Sequence, residues 1–539
     1  MIGFAVDVTS RGKPAQMAER MNPPVGGRVA EKESGTHNEL SGRQAALHGF
    51  GWGVVASIAL VALMYLADLL LGLQPLPQAL SQPLLSVMPG FVFGYLIDNL
   101  QHAGKVVEEL GLIVAMVVAL GVLGAAWAWA NRFWHFQYSA LVFAAGGWLV
   151  VAAVLLPISG IGFLGLNDGL ATPLEWGALF AVYGTILQLG TDRGGAEIAP
   201  DLGRRRMLSV VPVTIAAVSL GVLALRLVPR WYKAIFSPPE AGLSGASPAL
   251  TPEKNFYVVS KNFTDPSIDG QAWRLSVGGL VNKPLTLSIS DLRALPGATE
   301  YVTMECISNN VGGELMSTGL FAGVRLRELL AMASPQASGT WAAFKANDGY
   351  AESLPMSLIQ GAPEILVAYD LDGAPLPVSH GFPARMLIPG HYGMKGPKWL
   401  ESIDLVDHES GGYWEQQGWD HNAVVRTTAR FDVPHDGDIL KLGAIELAGV
   451  AFAGTRGVQK VEFSTDGAGS WTEAQFAAPL SPFTWVLWQA TWTPGAEGAY
   501  RLHVRATDGG GALQDGRAAG SYPTGAAGYH SIQVNVAKV

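Results

Sequence analysis

A chain of 539 residues with 49% hydrophobic and only 15% charged side chains, and a mean hydropathy of +0.26, is too apolar for a wholly soluble protein and too polar for a transporter, so a membrane part joined to a globular part is expected. The net charge of -9 speaks against nucleic acid as a partner, because phosphate contacts need clustered Lys and Arg. A single cysteine excludes an internal disulfide and a Cys-rich zinc site.

Residues 1–48 are polar, contain Gly and Pro and show no hydrophobic period, which predicts a disordered cytoplasmic tail without a cleavable signal peptide. Segments 51–73, 110–130, 141–160, 172–189 and 208–228 are apolar runs close to the ~20 residues a membrane-spanning helix needs. They predict an all-α transmembrane bundle of about five spans within 49–236. A shorter run, 85–97, is interrupted by Pro89-Gly90 and reads as a re-entrant or interfacial segment. Basic residues in the tail (Arg11, Lys13, Arg20, Arg28, Lys32, Arg43), Arg132 after the second span, and Arg193 with Arg204, Arg205 and Arg206 after the fourth orient the bundle. They put the tail in the cytoplasm and everything after 228 on the periplasmic side of a bacterial inner membrane. Arg204-Arg205-Arg206-Met207-Leu208-Ser209 has the form of an internal twin-arginine export signal, or else anchors a helix end in the headgroups. His48, His102 and His135 lie at or beyond span ends, which disfavours paired haem ligands and leaves the helices as an anchor and docking platform.

Residues 237–253, rich in Pro, Ser, Gly and Ala, read as a linker. Residues 254–438 mix short strands, Gly/Pro turns and brief helices without repeated βαβ units, an α+β domain. Over 439–539, Val461/Phe463, Leu502/Val504/Ala506 and Ile532/Val534/Val536 alternate at period two between turn signals, which predicts a β-sandwich. The expected fold is thus multi-domain: helical bundle, α+β domain, sandwich.

Cys306 stands in Met304-Glu305-Cys306-Ile307-Ser308-Asn309-Asn310, after the β-like Tyr301-Val302-Thr303 and before Val311-Gly312-Gly313. Alone, such a residue is more often a small buried hydrophobe. A second stretch changes the reading: Tyr369-Asp370-Leu371-Asp372-Gly373, His380-Gly381-Phe382-Pro383-Ala384-Arg385, then Pro389-Gly390-His391-Tyr392-Gly393-Met394-Lys395-Gly396-Pro397-Lys398-Trp399-Leu400. Together the two resemble the sulfite oxidase family of molybdopterin enzymes. The resemblance implies a sulfite-oxidase-type molybdopterin domain at 254–438. Through residues 453–467 and Trp471 it implies an immunoglobulin-like domain over 439–539, which in the family mediates homodimerisation. It further implies a molybdenum–molybdopterin cofactor with Cys306 as metal ligand, and Asn309, His380, Arg385, Lys395 and Lys398 as contacts to the pterin and its phosphate. Tyr369 matches the family's active-site tyrosine, against the alternative of a half-buried strand tyrosine. Arg456 matches an arginine that reaches the substrate pocket, although a surface arginine at a turn would look the same.

The chain also departs from the family pattern. Sulfite oxidases follow the cysteine with Ala-Gly-Asn-Arg-Arg, whereas here Ile307-Ser308-Asn309-Asn310-Val311 lacks both arginines, and Lys261 stands where a third is expected. A small dianion relies on bidentate guanidinium groups, so an S-oxide, N-oxide or thioether is as well matched as sulfite. The expected function is a membrane-anchored oxidoreductase that moves an oxygen atom and two electrons on a small extracytoplasmic substrate, with a separate redox partner, cytochrome or quinone. One alternative is a reductase of methionine sulfoxide or another S- or N-oxide, whose Cys-Val-Glu-Ala-Trp-like motif is absent. Another is a non-catalytic binding module, against which the retained Cys306 and cations argue.

Overall fold

The computed structural model describes residues 42–100, 104–133, 138–191, 221, 224, 245–262 and 264–538. The predicted tail up to 41, the Arg204-Arg205-Arg206 motif, nearly all of the fifth predicted span and the first half of the linker lie outside these residues.

The helical part comprises α1 (Gly42–Leu71), α2 (Leu76–Ala79), α3 (Ser81–Val87), α4 (Gly90–Leu100), α5 (Gly104–Ala130), α6 (Ser139–Val150), continued by a π turn (Val151–Leu155) into α7 (Leu156–Ile158), and α8 (Ala171–Thr191). Among the described residues, three helices are long and apolar enough to cross a membrane: Gly42–Leu71, Gly104–Ala130 and the continuous run Ser139–Ile158. The fourth predicted span is helical, as α8, but with Glu175 and Gln188 inside it falls short of that apolarity. Small residues let α1 and α5 cross closely: a Cβ on Gly49 would lie 2.5 Å from the Gly124 carbonyl oxygen. Helix α5 begins six residues before the predicted 110, because Lys105, Glu108 and Glu109 hide its first turns from a hydropathy reading. Glu109 is buried, and its carboxylate accepts from the Tyr65 hydroxyl at 3.0 Å and Gln78 Nε2 at 2.9 Å.

The interrupted 85–97 segment breaks at Met88-Pro89 into α3 and α4, and these helices pack against the globular part. Gly90 and Gly94 lie one turn apart on α4, and a Cβ on either would collide with the Tyr522 side chain. Leu85 and Phe93 share a buried cluster with Ile307, Tyr392, Met394 and Trp419, and Phe93 stacks on Trp414 with ring centroids 5.0 Å apart.

The central part holds two sheets. Its strands are β1 (Leu275–Gly279), β2 (Leu285–Leu287), β3 (Ala298–Glu305), β4 (Met316–Arg325), β5 (Trp341–Ala346), β6 (Ala351–Pro355), β7 (Leu366–Leu371), β8 (Ala374–Pro375), β9 (Arg385–Leu387) and β10 (Leu400–Val406). One sheet runs β2-β1-β10-β5-β6, the other β3-β4-β7-β8 with β9 also on β7. Leu275, Leu326, Phe344, Val367 and Ile403 fill the core shared by the sheets and their short helices. The last four residues of β3 are all buried, so the chain emerges at Cys306 from a strand fixed on both faces. Arg385 lies opposite Ala368 in the β7–β9 register.

The C-terminal part is β-rich: β11 (Thr428–Val433), β12 (Ile439–Lys441), β13 (Ile445–Phe452), β14 (Val458–Ser464), β15 (Thr472–Phe476), β16 (Val486–Trp492), β17 (Gly498–Asp508) and β18 (His530–Ala537), in the order β11-β13-β16-β15-β14-β17-β18-β12. Strand β15 pairs with β14 through its first residues and with β16 through its last, so the path curls over one core. Val461, Phe463, Leu502, Val504, Ile532 and Val534, the alternating residues, all point into that core.

Candidate active site

Cys306 sits in a tight turn: its N–H donates to the Leu315 carbonyl at 3.0 Å and its carbonyl accepts from the Asn309 N–H at 2.9 Å. Sγ lies 2.9 Å from Ser308 Oγ, and burial pushes the thiol pKa above its ordinary value while the Ser308 hydrogen bonds pull the other way. Asn309 is buried behind this turn, where Nδ2 donates to Glu305 Oε1 at 3.0 Å and Oδ1 accepts from the Leu315 N–H at 2.9 Å. It braces the loop and is not among the residues lining the cleft. Burial raises Glu305 to about 7, with the Asn309 hydrogen bond opposing.

The thiol opens onto a cleft that also gathers Lys261, His380, Arg385 and Lys398. Arg385 is 5% exposed, and among the described residues its guanidinium reaches only backbone carbonyls, His380 at 3.2 Å and Met386 and Gly396 at 3.4 Å. Among the described residues no carboxylate pairs with it, and burial pulls its pKa down to about 10. His380 packs edge-on against Phe256 at 5.2 Å; burial, then Arg385 and Lys398, lowers it to about 4, so the imidazole is neutral near pH 7. Lys398 Nζ donates to the Ser379 carbonyl at 2.8 Å, and burial lowers it to about 7. A bound anion would oppose these desolvation costs on Arg385 and Lys398. Lys261, by contrast, is an ion-pair partner of Asp348 at 3.4 Å and donates to its carbonyl at 2.7 Å.

The remaining expected site residues are placed elsewhere. Lys395 turns away from the cleft into a buried triad with Glu352 at 2.7 Å and Glu415 at 2.5 Å, where burial raises Glu352 to about 8. Tyr369 lies under the Arg293 guanidinium, 4.5 Å from its ring centre, while Arg293 is bound by Asp370 next door. Arg456 is engaged by Asp508 at 2.9 Å and by the Val425 carbonyl at 3.0 Å. None of the three lines the cleft. The tyrosines that do are Tyr257 and Tyr350, neither of which stands in a recognisable motif. Burial, then the neighbouring Cys306, holds the Tyr257 hydroxyl well above 10, and Tyr350 donates its hydroxyl to the Met394 carbonyl at 2.6 Å. Phe93, Met304, Met394, Trp414 and Trp419 supply the apolar wall.

This donor set suits a soft metal held by a thiolate and by an anionic, planar ring system: one sulfur ligand, a buried guanidinium without a carboxylate, a second cation beside it, and aromatic walls. Comparison with known proteins agrees. The model of the oxidoreductase molybdopterin binding domain matches residues 262–414. Mitochondrial sulfite oxidase of Mus musculus is 29% identical over 298 residues, 47% of this chain and 54% of that one. Sulfite oxidase of Arabidopsis thaliana is 28% identical over 315 residues, 47% of this chain and 79% of that one. The chain spans about half the length of the mammalian relatives it matches. The crystal structure of the sulfane dehydrogenase SoxCD from Paracoccus pantotrophus aligns over 55% of this chain and 85% of that one, at 21% identity and a TM-score of 0.48. Residues 262–414 are thus an oxidoreductase molybdopterin binding domain, similar to sulfite oxidases and suited to a molybdenum–molybdopterin cofactor.

Proposed function

We propose that the protein is a membrane-anchored enzyme that performs two-electron oxygen-atom transfer on a small, weakly charged extracytoplasmic molecule. What carries this reading is that Cys306 and the carboxylate-free Arg385 share a cleft whose wall includes Phe93 from a helix of the apolar N-terminal part. When bound, the molybdenum–pterin group supplies the oxygen-transfer and redox chemistry. The chain's own residues hold it: Cys306 by its thiolate, Arg385 and Lys398 by charge, and neutral His380 by a hydrogen bond. Met304, Ile307, Met394, Trp414 and Trp419 exclude water, and Asp348 already satisfies Lys261. A dianion therefore finds little unpaired positive charge here beyond Arg385 and Lys398, and an S-oxide, N-oxide or thioether matches the lining better than sulfite.

The arrangement in the cell follows from the same reading. The spans anchor the chain in a bacterial inner membrane, the tail stays cytoplasmic, and Arg204 and Arg205 direct folded export of the domain that follows. Residues 254–438 form the catalytic domain, and 439–539 an immunoglobulin-like domain that forms a homodimer. Electrons pass to or come from a separate partner, cytochrome or quinone. Cys306→Ser is the test: with ferricyanide as artificial acceptor, the variant should fold and lose turnover of every substrate that the native protein accepts. Unchanged turnover would remove Cys306 from the chemistry.

A further inference from the structure

A second cavity lies between α3, α4, the first turns of α5 and residues 258–262. Leu84, Leu85, Met88, Leu96, Val107 and Leu112 make most of its wall apolar. Phe93, Ser260, Lys261, Ser308 and Trp414 line both this cavity and the Cys306 cleft, so one layer of side chains, with the Phe93–Trp414 stack in it, divides the two. In the other direction the cavity reaches the outer face of α5. There Val107, Leu110, Val114, Val118 and Val122 are 37 to 58% exposed and fall on one side of the helix, a continuous apolar track along the segment read as spanning the membrane. Polar groups interrupt the apolar wall, among them Lys105 and Glu108 on α5. Lys105 donates to the Asn262 carbonyl, and Glu108 has a buried Oε1 with no hydrogen bond among the described residues.

We propose that this cavity binds the head of an isoprenoid quinone, the electron acceptor of the enzyme, with its tail along the outer face of α5. The proposal deepens the membrane-anchored reading above and rests on it. A quinone needs apolar access for its tail, a donor for a carbonyl oxygen and a group that exchanges protons; the α5 track, Lys105 and Glu108 provide these. A substrate that exchanges an oxygen atom must reach the Cys306 cleft itself, whereas an electron acceptor needs only to abut its wall. In the oxidising direction, substrate and water give oxidised substrate, two protons and two electrons. Quinone takes up the two electrons and two protons as quinol, so atoms and charge balance.

Gly111 lines the cavity, and a Cβ there meets nothing within 4 Å, so Gly111→Phe places a ring in the empty space. Leu112→Trp fills the same volume from the next position. Gly146 on α6 is equally open and outside the cavity, so Gly146→Phe is the control. Full-length protein in lipid nanodiscs is titrated with decyl-ubiquinone, reading tryptophan quenching, with molybdenum and pterin content measured on the same samples. Saturable binding is expected in the native protein and in Gly146→Phe, weakened at least about tenfold, or ~1.4 kcal/mol, in both filled variants at unchanged cofactor content. Non-saturable quenching in the native protein, equal affinity in the filled variants, or equal competition by decylbenzene, which would mark a mere lipid pocket, each overturns the proposal. Absence of molybdenum and pterin from all samples would instead sink the enzymatic reading, independently of the binding result.

Discussion

Replacing Arg385 by Met should move stability and cofactor content in opposite directions. The guanidinium is 5% exposed, pairs with no carboxylate among the described residues and makes three long hydrogen bonds to backbone carbonyls. Burial takes its pKa from 12.5 to about 10, a penalty on the charged form on the order of 3 kcal/mol. Methionine matches its length and removes that penalty. Allowing for the lost hydrogen bonds, Arg385→Met should stabilise the cofactor-free protein by about 1–3 kcal/mol, a rise in Tm of roughly 2–10 °C. Each charge-assisted bond to a phosphate is worth about 1.5–3 kcal/mol, so the variant should retain pterin about 10- to 100-fold less well. Thermal unfolding of protein made in a host unable to synthesise the pterin, beside pterin quantitation from a replete host, reads both. A lower Tm in the cofactor-free variant, or native pterin content in the replete one, refutes the assignment of Arg385 as an anion anchor.

Other groups in and around the cleft give sharper tests of single contacts. In cofactor-free protein the raised Cys306 thiol should alkylate with iodoacetamide more slowly at pH 8 than a free cysteine, and Ser308→Ala should slow it further; a faster reaction contradicts the burial argument. His380 is held near 4 against an ordinary 6.5, so the unfolded chain takes up this proton first as pH falls. Its stabilising share, up to about 3 kcal/mol, is present above pH 6.5 and lost toward pH 4. Urea midpoints of native and His380→Gln protein should converge over that window, and parallel curves would be the contrary result. Lys395→Met leaves Glu352 and Glu415 buried against each other and should cost about 3–5 kcal/mol. Adding Glu352→Gln and Glu415→Gln should restore most of it with near-native pterin content, whereas pterin loss in the triple variant would return Lys395 to the phosphate. Gly94→Leu should undock α4 from Tyr522 and expose Trp414 to aqueous quenchers; unchanged tryptophan quenching would show that the close approach is dispensable.

Local patterns with a fixed period were legible in the sequence. The alternation at Val461/Phe463 and Leu502/Val504/Ala506 is set by the pleat, and those side chains do enter one core. The fall of Cys306 at a strand end was legible from Tyr301-Val302-Thr303, and the cleft gathers Cys306, Lys261, His380, Arg385 and Lys398. What long-range partners decide was not. Lys395 and Lys398 look alike in Met394-Lys395-Gly396-Pro397-Lys398, yet the 3-10 turn Gly393–Lys395 buries the first against Glu352 and Glu415, from distant segments, and leaves the second on the cleft. Tyr369 matched by motif, but its ring is covered by Arg293, while Tyr257 and Tyr350 line the cleft from ordinary aromatic surroundings. Hydropathy identified the break at Pro89-Gly90 without showing that α4 would present Phe93 to the cleft, because that contact depends on Trp414 and on Tyr522 far along the chain.

Metal analysis of the detergent-purified full-length protein by mass spectrometry, with pterin released and quantified from the same sample, tests the account most directly. The cleft formed by Cys306, His380, Arg385 and Lys398 predicts about one molybdenum and one pterin per chain. Folded protein from a molybdenum-replete host that carries neither would contradict it.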